Sequence, residues 1–237
     1  MQLINDLNTR WAAGRASATL ADAGVVMRVF DGQETRGKPW MPDATSPIGD
    51  HFAVSIVSAR HPDVYEGGNG PPTREPGMVF ASTPMLQERI SCAYNRDAAS
   101  NNKQCHQRGG DEHCRPGCAK YWCEGGRKWN CAYRPEQLVD ALQRQDAELP
   151  NGHVPGYGYN EIVLDAWRTP WRDALPDAVV AFWVQPLASQ EEKQRAKDAH
   201  SAYVDDADIS SSPAGRATPL LHYDPLSARE PFSVFIG

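Results

Sequence analysis

The stretch DAVVAFWV, residues 177–184, is apolar almost from end to end and rich in β-branched and aromatic side chains. It is too short for a typical helix and reads as a strand buried on both faces. Working upstream, EIVLDA (161–166) is the most strand-like segment of the chain. It follows the glycine-rich NGHVPGYGY (151–159) and precedes a Trp-Arg-Thr-Pro-Trp-Arg turn. Downstream, Ser189 and Glu192 have the spacing of a capping box and open a helix that runs to about Tyr203. Residues 205–219 are polar and read as a loop. PLLHY and FSVFI (232–236) supply two short closing strands.

The same reading extends to the start of the chain. Residues 2–13 carry Leu3, Ile4, Leu7 and Trp11 on one helical stripe, and Gly14 closes that helix. VVMRVF (25–30), FAVSIV (52–57) and MVFAS (78–82) read as strands. They are separated by loops at 32–50 and at 61–77, the second of which holds four prolines and four glycines. PMLQERI reads as one helical turn with Pro84 at its first position. A further helix spans about 135–147, begun by Pro135, with Leu138, Ala141 and Leu142 on one face. The pattern predicts an α+β fold of short, mostly antiparallel strands with about three helices and long loops. Residues 1–237 read as a single domain with a cysteine-rich insertion at 92–131.

That insertion holds all six cysteines: Cys92, Cys105, Cys114, Cys118, Cys123 and Cys131. Its Gly, Asn, Arg and Lys content cannot bury enough apolar surface to hold it folded, so a covalent or metallic staple is required. The even, clustered count favours three disulfides and a chain that matures in an oxidising compartment, secreted or lumenal. A zinc site built from Cys105, His106, His113, Cys114, Cys118 and Cys123 is the competing reading. It lacks a matching second knuckle, so no metal is expected. The start MQLINDLNTRW is amphipathic and not an apolar stretch behind a basic tip, so a secreted chain would be represented here by its mature part.

The net charge of −6 and a pI near 5.6 argue against general nucleic-acid binding. The charge is uneven, +3 on the window and −9 on the remainder. The window also carries Tyr94, Tyr121, Trp122 and Trp129, which makes it either a solvated loop or an anion-facing one. No apolar run has the length of a membrane span.

Three ionisable or hydroxyl-bearing sites stand on or beside strands. Arg28 interrupts an apolar strand and, by alternation, shares a face with Val26 and Phe30. Glu161 opens a strand behind a flexible loop. Ser82 and Thr83 end a strand before Pro84. Each has an ordinary explanation as a salt bridge, an edge carboxylate or a strand end. Their order, an arginine on an early strand, FASTP at 80–84, then YNEIVLDA and LPDAVVAFWV, resembles the arginine–serine–glutamate pattern of toxin-type ADP-ribosyltransferases. The resemblance implies a nicotinamide dinucleotide, NAD, with its phosphates held by Arg28. Ser82 and Thr83 would frame the nicotinamide pocket, and Glu161 would bond the ribose and stabilise the oxocarbenium-like transition state. His51 stands where such enzymes place a helper histidine. The chain departs from the family in having Tyr159 where Gln or Glu selects the acceptor, and Pro84 where a second hydroxyl ends the serine motif.

A broader resemblance rests on LADAGVVMRVFDG, CAYNRDAAS, CRPGC, WCEGG, CAYRPEQL and YNEIVLDA. These are similar to uncharacterised cysteine-rich secreted proteins of marine microalgae. That likeness implies a secreted, disulfide-bearing domain and no particular activity. The rival to a transferase is a non-enzymatic extracellular binding or structural module. It would present Trp122, Trp129, Trp167 and Trp171 to carbohydrate or to a protein partner. The absence of a glycine-flanked nucleophile turn and of a phosphate-cradling glycine loop argues against serine hydrolases and P-loop enzymes.

Overall fold

The computed structural model describes residues 1–13, 24–30, 40, 51–59, 76–81, 90–94, 161–165, 178–227 and 229–236. Among them the chain forms α1 (Gln2–Ala13), β1 (Val25–Val29), β2 (His51–Val57), β3 (Gly77–Phe80), β4 (Ile90–Tyr94), β5 (Glu161–Asp165) and β6 (Val179–Val184). There follow α2 (Gln190–Val204), α3 (Ala207–Ser210), α4 (Pro213–Arg216), β7 (Leu220–Tyr223) and β8 (Phe232–Val234). The strands make one sheet in the order β4-β5-β2-β1-β3-β6-β7-β8. Every pairing is antiparallel except β6 with β7. The fold is α+β.

Alternation along the strands sorts the core into two layers. On one face Val25, Met27, Val29, Val79, Trp183 and Tyr223 pack with Leu7 and Trp11 of α1. On the other, Val26, Phe30, Met78, Phe80, Ile162, Leu164 and Phe182 pack with Tyr203 of α2 and Ile209 of α3. The run at 178–184 is therefore apolar because β6 is covered on both sides: Phe182 faces α2 and Trp183 faces α1. Phe182 is the centre of an aromatic cluster, 5.1 Å from Tyr203, 5.9 Å from Phe30 and 6.5 Å from Trp40 between ring centroids. Burying each such ring stabilises the fold by roughly 1.5–3 kcal/mol. Helix α2 is polar along most of its surface and buries only Ala196, Ala199 and Tyr203. Its two buried alanines leave room for close approach to the sheet.

The structure departs from the sequence reading in two places. Residues 205–219 are not a plain loop. Asp206 caps α3 and Ser212 caps α4, each side chain accepting a backbone N–H, and Pro213 occupies the first turn of α4. The polarity that read as loop is capping polarity, and Ile209 and Gly215 are the buried points between the caps. The second departure is β4. The sequence sets the cysteine-rich window apart from Cys92 onward and reads PMLQERI as one helical turn, of which residues 84–89 lie outside the described residues. Ile90, Cys92, Ala93 and Tyr94 instead pair with β5, and Ile90 is strand. The expected helix at 135–147 and Cys105, Cys114, Cys118, Cys123 and Cys131 lie outside the described residues.

Candidate functional site

Arg28 is held from one side. It stands opposite Met78 in the β1–β3 ladder, and its strand is gripped where β3 begins. The Phe30 N–H donates to the Pro76 carbonyl at 2.7 Å. At Gly77 a Cβ would collide with the Arg28 carbonyl oxygen and with the Trp183 indole, so glycine is required there by close backbone approach. The indole Nε1 of Trp183 donates to the Met78 carbonyl at 3.2 Å. The Arg28 side chain is half-buried and sits in step with the buried Val26 and Phe30, as the alternation predicts.

On its other side β1 loses its neighbour at the same point. The ladder to β2 runs through Val25–Val57, Val26–Ile56 and Met27–Ser55. The preceding residues of β2, His51 to Val54, pair with β5. Strand β2 is thus handed from one ladder to the other between Val54 and Ser55. Two half-sheets result, β4–β5–β2 and β1–β3–β6–β7–β8, joined by three residue pairs. Arg28 is the first residue of β1 past that join. Glu161 is the first residue of β5, one position before the Ile162–Val54 pair, and stands opposite Tyr94 of β4. Arg28 and Glu161 therefore flank the join from different half-sheets, with β2 between their strands. Two strand spacings separate them laterally, about 10 Å.

Ile162 and Leu164 belong to the core layer of Val26 and Phe30. Arg28 is in step with that layer and position 161 is one residue out of step. A flat continuous sheet would set positions 28 and 161 on opposite faces. The register alone therefore does not bring them together, and a common site would need the two half-sheets to twist apart where the ladder parts. His51 starts β2 opposite Asp165, at the end of β5 away from Glu161. Ser82 and Thr83 lie outside the described residues. Strand β3 ends at Phe80, and Ala81 follows it with its N–H on the Ala178 carbonyl. The four strands that carry or immediately precede the five candidate residues, β5, β2, β1 and β3, are consecutive in the sheet. Tyr94, expected as one of the aromatics of the basic window, is instead a strand residue opposite Glu161. The signal was present in ISCAY, a β-prone run hidden by its place at the edge of the cysteine window.

A cavity of about 180 Å3 opens at the other end of β1, between Asp6 and Arg10 of α1 and Gly24, Phe80 and Ala81. It is smaller than a dinucleotide requires. Among the described residues no group of His, Cys, Asp and Glu is arranged to hold a metal ion, and no helix is long and apolar enough to cross a membrane. No protein-family model, no curated protein and no solved structure matches the chain.

Proposed function

We propose that the join between the half-sheets is the floor of a nicotinamide dinucleotide site and that the protein is an ADP-ribosyltransferase-like enzyme. The observation that carries this reading is the end of the β1–β2 ladder at Arg28, with the strand begun by Glu161 on the opposite half-sheet. A ligand bound where the ladder parts would gain contacts from both half-sheets. Arg28 suits a pyrophosphate partner. Its guanidinium is permanently charged, and its strand is braced by Gly77 and Trp183, so little freedom is lost on binding.

The dinucleotide supplies a glycosidic bond whose cleavage releases nicotinamide. Glu161 would oppose the positive charge that develops on the ribose as that bond breaks, and the incoming hydroxyl or amine would lose its proton on bonding to the ribose carbon. Water would serve as the minimal acceptor. Such a carboxylate acts mainly in the transition state.

Calorimetric titration with the dinucleotide, together with assay of nicotinamide release, tests the proposal. Arg28→Ala should weaken binding by about 10–100-fold, the loss of one charge-assisted contact. Glu161→Gln should lower turnover by about 100–1000-fold with binding nearly unchanged. No binding at millimolar dinucleotide would end the transferase reading. The tryptophan-bearing extracellular binding module would then be the reading to pursue.

A further inference from the structure

The last strand of the sheet has one neighbour, and hydrogen bonds identify its open side. Among the described residues, strand β8 pairs with β7 alone. The Phe232 N–H donates to Asn8 Oδ1 at 2.9 Å, and the Phe232 carbonyl accepts from Asn8 Nδ2 at 3.0 Å. The Asn8 carboxamide, reaching from α1, thus meets Phe232 as a neighbouring strand would. The Asp224 N–H donates to the Pro231 carbonyl at 2.8 Å. Positions 231 and 233 therefore face β7, while 232 and 234 face away. Asn8 covers the outward groups of Phe232. The outward N–H and C=O of Val234, two residues on, take up no hydrogen bond among the described residues.

The two flanks of that edge differ in chemistry. Val234, in step with Phe232 on the α1 side, is 56 % exposed, and Ile236 just beyond the strand is 86 % exposed. On the α2 side lies Phe235, with Lys197 Nζ 5.4 Å from its ring centroid and His222 edge-on to it at 4.9 Å. Lys193, one helical turn before Lys197, is close enough to His222 to disfavour its protonation. Neither lysine has an acidic residue three or four positions away on α2, and neither is in an ion pair among the described residues. A chain of net charge −6 thus presents two half-buried lysines, without an acidic partner among the described residues, beside a strand edge and an apolar pair.

We propose that β8 is a docking edge for an extended acidic segment of a partner protein, one in which acidic and apolar residues alternate. An added strand would pair its backbone with the Val234 N–H and C=O. It would then set successive side chains on opposite faces. Its apolar residues would meet Val234 and Ile236, and its acidic residues would meet Lys193 and Lys197. A second copy of β8 fits less well, because antiparallel self-pairing would bring the lysines of both copies onto one face.

The test is titration of the isotope-labelled full chain with a short blocked peptide of alternating glutamate and valine, followed by NMR. The expected result is shifts at the amides of Val234, Phe235 and Ile236 and slowed exchange of the Val234 N–H. Binding should weaken by about tenfold or more in Lys193→Glu/Lys197→Glu, in Val234→Pro, and with a lysine–valine peptide on the native chain. Proline at 234 removes a donor that the β7 ladder does not use, so the fold should survive, as an unchanged spectrum of the remaining amides would show. If Val234→Pro fails to fold, the charge reversal and the lysine peptide decide the matter. No shifts up to about 1 mM peptide, equal binding of the lysine peptide, or dimerisation through β8 in sedimentation would each overturn the proposal.

Discussion

Gly77 and His222 are where single residues carry the most testable physics. Any side chain at 77 meets the Arg28 carbonyl and the Trp183 indole. Gly77→Ala should therefore destabilise the chain by about 1–3 kcal/mol, read from the denaturant midpoint, and should displace Arg28. His222 is held below its ordinary value of 6.5, first by burial and then by Lys193. With the folded value lower than the unfolded one, the folded chain binds fewer protons between the two. Stability is full above 6.5 and falls as pH drops from there through the folded value. NMR titration should give a His222 midpoint below 6.5, and Lys193→Gln should raise it. A midpoint that ignores Lys193 would assign the whole shift to burial.

Elements show how local rules and tertiary pairing share the work. Helix α2 is announced by its capping box, and both reciprocal bonds form: Ser189 Oγ accepts from the Glu192 N–H at 3.2 Å, and Glu192 accepts from the Ser189 N–H. Ser189→Ala should cost about 1 kcal/mol in a melting experiment, since α2 has few buried residues with which to compensate. Strand β4 is the opposite case. Its β-prone run ISCAY is obscured by the adjoining cysteine window, and it becomes a strand by pairing with β5. Its pairing also sets the expected effect of reductant. The first cysteine of the window lies in a strand paired to the one that begins with Glu161. If Cys92 is disulfide-bonded, reduction should raise amide exchange in β5 at 161–164 and leave β6 protected. Exchange confined to the window would show that β4 needs no covalent brace.

For the whole molecule, the parted ladder is the seam of the sheet: among the described residues, three residue pairs join the half-sheets directly through strands. Met27–Ser55 is the last of them. Both side chains are fully buried, so a bulky polar change there strikes the join itself. Ser55→Glu would bury an unpaired charge and should destabilise by several kcal/mol. Ser55→Ala should be mild, and its effect on dinucleotide binding would report whether the join sets the geometry of the site. Binding lost in Ser55→Ala with stability retained would place the site at the join. Binding unaffected by changes that loosen the join would place it elsewhere.

The sequence alone determined the elements whose signals are local. Strands β1, β2, β3, β5 and β6 follow from apolar runs, α1 from its stripe of Leu3, Ile4, Leu7 and Trp11, and α2 from its cap. Periodicity and capping are properties of a few adjacent residues, and they survive without knowledge of the rest. Even the side of β1 on which Arg28 sits was legible, because alternation fixes it relative to Val26 and Phe30. What only the tertiary structure decided is pairing. Strand order, the handing of β2 from β5 to β1, the recruitment of β4 and the open edge of β8 each depend on which residues far apart in sequence meet. Backbone hydrogen bonds carry no side-chain signature, so the end of a ladder at Arg28 leaves no mark in the sequence around it.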